Sequence, residues 1–382
     1  MDSGIQATAA KLKSHLMRAA ASRFASLLLL GAFFWMVAAA GFSGFLGKWG
    51  LMGDAGVDIE KQRYGLELML DATAHKPFVY RQFAPMIAKA ADEITPGRVN
   101  FYARKYLMPK REFSNLISPP PQELRFQFIV IYYLSFISLF ASLFVLRRVL
   151  LDFGIDRIVA TVVPAAMALA LPYIQTVGGF FYDNIELFFM SSAFLAASRG
   201  KALWLIALVL PATFNKETFL FFLPTLFPLL RHRSSTKSAA VVTSLAILLA
   251  GLINVAVKLT FAGSPRGVVA ELHWLQNLKY YLSPTSYLRF VEITYGVIGP
   301  ERVFFGTLLV IGILVLRGWG FAPLQVRRHL LIAAAINVPL FLLFCAAGEL
   351  RNLSLLYVSL VIMAAFAIDR GGKRSIAGNE RP

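Results

Sequence analysis

Long stretches of this chain, such as Phe24 to Leu46, Phe126 to Leu146, Ile158 to Tyr182 and Ala239 to Val257, carry no Asp, Glu, Lys or Arg. At about 1.5 Å of rise per helical residue, each can cross the roughly 30 Å hydrocarbon core of a bilayer. Hydrocarbon offers the backbone no hydrogen-bond partner, so a spanning stretch must satisfy its own amides and carbonyls as a helix. The expected fold class is therefore all-α, a polytopic integral membrane protein. Composition agrees, with 57% hydrophobic and 15% charged residues against about 25% charged in soluble domains. The net charge of +17 is explained by basic loops on one side of a membrane, and no nucleic-acid partner is expected. The single Cys345 excludes a disulfide framework or a cysteine zinc site.

Ordering the spans by their flanking Lys and Arg gives about ten helices (a range of 8 to 12). They fall near 24–46, 126–146, 158–180, 185–198, 202–214, 218–230, 238–257, 303–316, 330–347 and 353–368. The first apolar run is longer than the core of a signal peptide and lacks a clear cleavage site, so it is read as a retained span. Residues 1–23 and 369–382 form cytoplasmic tails, and 24–368 form one transmembrane domain with long outer segments at 47–125 and 258–302. The expected location is a bacterial inner membrane. Arg63 to Leu70 and Phe83 to Ile94 have the mixed periodicity of amphipathic helices in the outer loops. Trp274, Tyr280, Tyr281 and Tyr287, interleaved with Lys279 and Arg289, have the composition of an interfacial aromatic belt.

Ionisable residues near span ends are costly and ask for a reason. The outer half gathers several: Asp54, Asp58 and Glu60; Tyr80 and Arg81; Asp183 and Glu186; Asn215-Lys216-Glu217-Thr218; and Glu349-Leu350-Arg351-Asn352. The helices flanking Lys216 and Glu217 have about 13 residues and reach only ~20 Å, which leaves that pair at membrane depth. One reading is a Lys–Glu pair that neutralises itself between two helix ends. The other is a wet cavity, where Lys216 binds an anion and Glu217 a sugar hydroxyl or a divalent cation. The five histidines show no metal-ligand spacing and read as loop or interfacial residues. No phosphate-binding glycine loop, G-x-S-x-G elbow or H-E-x-x-H motif is present, so an enzyme of this shape draws energy from an activated substrate.

The acidic first loop, the Y-R-x-x-x-P segment (Tyr80, Arg81, Pro85), the N-K-E-T turn (Asn215 to Thr218) and the late G-E-x-R (Gly348, Glu349, Arg351) resemble bacterial polytopic glycosyltransferases of the GT-C type. The resemblance implies transfer of a sugar from a polyprenyl-phosphate donor to an extracytoplasmic glycan, lipid or protein. It implies Asp54 or Asp58 as the base and Arg81, Lys216 and Arg351 as phosphate binders. Glu217 joins the catalytic candidates, and Tyr80, Asp183, Glu186, Asn215 and Glu349 the substrate-binding ones. No cofactor is required beyond a divalent cation at most. Two other classes fit the same pattern: an O-antigen or exopolysaccharide polymerase or ligase, and a secondary transporter of an anionic or lipid-linked substrate.

Overall fold

The computed structural model describes residues 24–44, 64–109, 122–174, 180–264, 267–268, 270–301 and 303–379. The fold is nearly all-α. Six helices are long and apolar enough to cross a membrane by length and composition: Phe24–Gly44, Gln122–Asp152, Arg157–Ile174, Thr236–Thr260, Leu324–Phe344 and Leu350–Asp369. Shorter apolar helices run over Ala202–Asn215 and Phe305–Trp319, and an 18-residue helix over Phe181–Ser198. Each of the ten expected spans thus has a helical counterpart, but only six of these helices are both long and apolar enough to cross a membrane.

In chain order the helices are α1 (Phe24–Gly44), α2 (Leu66–Leu70), α3 (Phe83–Ile94), α4 (Gly97–Tyr106), α5 (Arg125–Asp152), α6 (Arg157–Ile174), α7 (Phe181–Ser198) and α8 (Ala202–Asn215). They continue as α9 (Thr218–Phe222), α10 (Phe227–Arg233), α11 (Thr236–Thr260), α12 (Trp274–Leu282), α13 (Phe305–Trp319), α14 (Leu324–Phe344) and α15 (Ser354–Asn379).

Helix α7 is the centre of the bundle. Fifteen of its 18 residues are buried, as expected for a helix enclosed on all sides. It packs along α5, where Ser135, Ser138 and Ser142 are buried at the spacing of one helix face. Small side chains allow close helix approach where water exclusion supplies little force. Helices α13 and α15 use the same device: a Cβ on Gly318 would stand 2.2 Å from the Met363 carbonyl oxygen. Any larger residue there must push the helices apart.

One end of the bundle is basic. Arg199 bridges Asp152 at 2.5 Å, Arg147 donates to Thr161 at 3.0 Å, and Arg233 donates to the Ser198 carbonyl at 2.9 Å. The opposite end carries the long segments. There α3 lies against α5 and α8, with the bounds expected from its periodicity, and α12 is tied to the end of α14. Asn277 donates to the carbonyls of Leu342 and Cys345, both at 2.8 Å.

Two expectations need correction. The second long segment contains a short antiparallel hairpin, β1 (Glu292–Thr294) paired with β2 (Val297–Gly299), which the helix-only reading lacked. Its turn residue Tyr295 donates to the Leu169 carbonyl of α6 at 3.0 Å. His329 is neither a loop nor an interfacial residue: it is fully buried in α14, with its ring 4.9 Å from Phe194 and 5.5 Å from Phe222.

Candidate functional site

Helix α8 has 14 residues, roughly 21 Å of length, and it ends inside the bundle. Lys216 causes the break: its backbone is extended (φ −162°, ψ 136°), and the chain turns helical again at Thr218. The return stroke is itself interrupted, with a 3₁₀ turn at Leu223–Leu226 between α9 and α10. The Lys216 and Asn215 side chains are each 1% exposed, so the break delivers polar groups to the interior.

The partners come from the first two turns of α7. Lys216 Nζ lies 2.7 Å from Glu186 Oε2 and 3.3 Å from Asp183 Oδ1. These carboxylates stand three residues apart, on one helix face. Asp183 also accepts from the Phe180 amide at 2.9 Å, at the end of α7 where the helix dipole favours negative charge. Glu186 Oε1 accepts from Ser354 Oγ at 2.8 Å and from the Thr218 hydroxyl. Asn215 donates to the Tyr182 carbonyl at 3.0 Å.

Two further segments close on this pair. Arg81 reaches Glu217 through two contacts, 2.7 Å from Nη2 and 3.3 Å from Nε, and also donates to the Tyr182 hydroxyl. Its guanidinium carbon lies 4.6 Å from the Tyr182 ring centre and 5.3 Å from that of Phe78, favourable for a planar cation. Tyr80 is buried on the same 3₁₀ turn. Burial, and then the Glu217 charge, push its phenol above the ordinary value. From the far end of the sequence, Arg351 lies 3.5 Å from Asp183 and 3.4 Å from Glu349, over the Phe180 ring at 4.5 Å. Gly348 takes φ +79°, a left-handed conformation that suits glycine, and so aims Glu349 and Arg351 into the cluster.

The structure thus brings together Tyr80, Arg81, Asp183, Glu186, Asn215, Lys216, Glu217, Glu349 and Arg351 at the end of the bundle opposite the basic one. Asp54, Asp58 and Glu60 lie outside the described residues. Lys216 and Glu217 do not neutralise each other as a local pair: each takes a different long-range partner. Three cations meet four carboxylates, so the cluster carries one surplus negative charge. Buried ion pairs alone can serve packing specificity. This cluster differs in keeping two carboxylates open, with the Glu217 side chain 27% exposed and that of Glu349 18%. Among the described residues the buried Arg351 Nε has no hydrogen-bond partner, which leaves this member of the cluster one unused donor.

Several supporting groups escaped the sequence reading. Ser354 lies in an apolar span and has no motif. Asn337 sits inside α14, where it donates to the Asn352 carbonyl at 2.8 Å and accepts from the Leu355 amide at 3.2 Å. An amide in the middle of a span is a usable signal, because it is retained there only with partners. Among the described residues no group of three His, Cys, Asp or Glu is arranged to hold a metal ion. Asp183 and Glu186 are both occupied by cations. No family model, no curated protein and no solved structure matches this chain.

Proposed function

We propose that this chain is a membrane-embedded glycosyltransferase of the GT-C type. It would transfer a sugar from a polyprenyl-phosphate donor to an extracytoplasmic acceptor. The observation that carries the reading is the convergence of Arg81, Lys216 and Arg351 with four carboxylates, drawn from four distant segments to one end of an apolar bundle. Transfer from a phosphate leaving group needs fixed positive charge where the phosphate departs and a carboxylate to take the acceptor proton. Arg81 suits two-point phosphate contact, and Arg351 keeps one unused donor. Glu217, the most open of the paired carboxylates, would yield Arg81 to the donor and become available as a base or a hydroxyl acceptor. Asp54 and Asp58 remain the first-loop candidates for that base. In this reading α7, α8, the broken α9–α10 and α13 complete a ten-pass topology in a bacterial inner membrane, with the basic end and both termini cytoplasmic.

A secondary transporter is the second reading, favoured by the interruption at Lys216 inside a short helix pair, the usual setting of a midplane substrate site. Mass spectrometry of lipid-linked and surface glycans separates the two. Cells with the wild-type chain should carry a sugar modification that is absent without it and absent with Glu217→Ala or Lys216→Ala. Unchanged glycans in the absence of the chain would remove the glycosyltransferase reading.

A further inference from the structure

At the basic end, α10 packs against the first turn of α14, and a cavity of about 240 Å³ opens between them. It is lined by Pro228, Arg231, His232, Leu324, Gln325 and Arg328. No acidic side chain is among them. The two basic runs divide their labour in the same way. In Arg231-His232-Arg233, Arg233 turns back to the Ser198 carbonyl. In Arg327-Arg328, Arg327 donates to the Ala322 carbonyl at 2.7 Å and lies 6.0 Å from the Trp319 ring centre. Arg231 and Arg328 remain, both facing the cavity, with no hydrogen bond or ion pair to any described residue.

We propose that this cavity binds the phosphate group of an anionic ligand, distinct from the charged cluster at the other end of the bundle. Two guanidinium groups with free forks match phosphate oxygens, and Gln325 and His232 offer further polar contacts. Pro228 and Leu324 give the cavity an apolar side, and it lies at the end of helices that leave the bilayer. Basic cavities between spanning helices suit phospholipid head groups, so an anionic phospholipid is the favoured source of that phosphate.

The test uses the purified full-length chain in detergent. Native mass spectrometry with phosphatidylglycerol, and separately with phosphatidylcholine, counts bound lipid, and thermal unfolding in sodium phosphate against sodium chloride of equal ionic strength reads the free ion. Three proteins are compared: wild type, Arg231→Gln/Arg328→Gln, and Lys237→Gln/Arg317→Gln, which removes two charges from the same end but outside the cavity. The proposal expects retention of phosphatidylglycerol over phosphatidylcholine by the wild type, roughly 20-fold weaker binding by the cavity pair, and little change in the control pair. Stabilisation by inorganic phosphate without lipid retention, lost in the cavity pair alone, keeps the phosphate site and assigns it to a soluble ligand. Equal losses in both double variants, or no binding of either probe by the wild type, would overturn it.

Discussion

The Lys216 ammonium stands 2.7 Å from the Glu186 carboxylate, and the two side chains are 1% and 3% exposed. They are thirty residues apart in the chain, so the contact is a property of the assembled bundle. Removing one partner of such a pair leaves an uncompensated buried charge. Lys216→Met is therefore expected to destabilise the protein by about 3–5 kcal/mol, while Lys216→Met combined with Glu186→Gln recovers part of that loss. Denaturant unfolding in mixed micelles measures both; a double variant no more stable than Lys216→Met would contradict the pairing.

Arg81 and Glu217 form the most exposed of the site's ion pairs and the one made through two contacts. A lysine cannot reproduce the fork or the stacking on Tyr182. Sugar transfer is expected to fall by at least about tenfold with Arg81→Lys, equivalent to ~1.4 kcal/mol, with little change in the amount of folded protein. Normal transfer by that variant would mean that Arg81 acts as a point charge.

Asn337 touches no charged member of the cluster, yet it holds both the Asn352 carbonyl and the Leu355 amide. Asn337→Leu leaves those groups unmet and releases the turn that bears Glu349 and Arg351. The expected cost is about 1–3 kcal/mol of stability, together with a transfer defect as large as that of Arg351→Gln. A stability loss with full transfer activity would confine Asn337 to packing.

Gly318→Val should be among the most damaging apolar substitutions, because its side chain would meet the Met363 backbone with no room to move. Overpacking of this kind costs ~1–3 kcal/mol or more. Gly312, which has open space around its Cβ position, provides the matched control: Gly312→Val should be close to neutral in the same unfolding assay.

Topology is testable by placing single cysteines in a Cys345→Ser background. Leu275 in α12 and Arg231 in α10 lie at opposite ends of the bundle and are exposed. An impermeant thiol reagent applied to intact cells should modify Leu275→Cys and spare Arg231→Cys. The reverse pattern would invert the orientation, and labelling of both from one side would break the two-ended description.

Hydropathy made the helices readable because a bilayer allows few alternatives: charge-free runs such as Ala239 to Val257 return as α11 within a few residues. The convergence of the ionisable turns was suggested by position, since Lys216 at the end of a half-length helix stands at membrane depth and needs partners there. Pairing was not. Adjacent Lys216 and Glu217 look like natural partners, yet the extended backbone at Lys216 sends the two side chains to different segments. The hairpin turn at Tyr295 and Gly296 was hidden because tyrosine is a poor residue at positive φ (+56°). Its ring is held by tertiary contact with α6, which local propensity does not encode. His329 was misplaced as well: it directly follows Arg327 and Arg328 in sequence, yet the helix turns it inward between two phenylalanines.

The break at Lys216 also sets a timetable for biogenesis. During synthesis Asp183 and Glu186 reach the lipid before any cation that will neutralise them, and Arg81 emerges long before Glu217. Arg351, which completes the neutralisation of Asp183, is made long after Lys216. The nascent protein must therefore hold unmatched ions in or near the bilayer until the segment bearing Arg351 arrives, and a ribosome that stalls before residue 351 leaves a product whose buried acid is still incompletely neutralised. Quality-control proteases that recognise exposed charge within membranes should clear such fragments quickly, while the finished chain, with the same acids matched, escapes them.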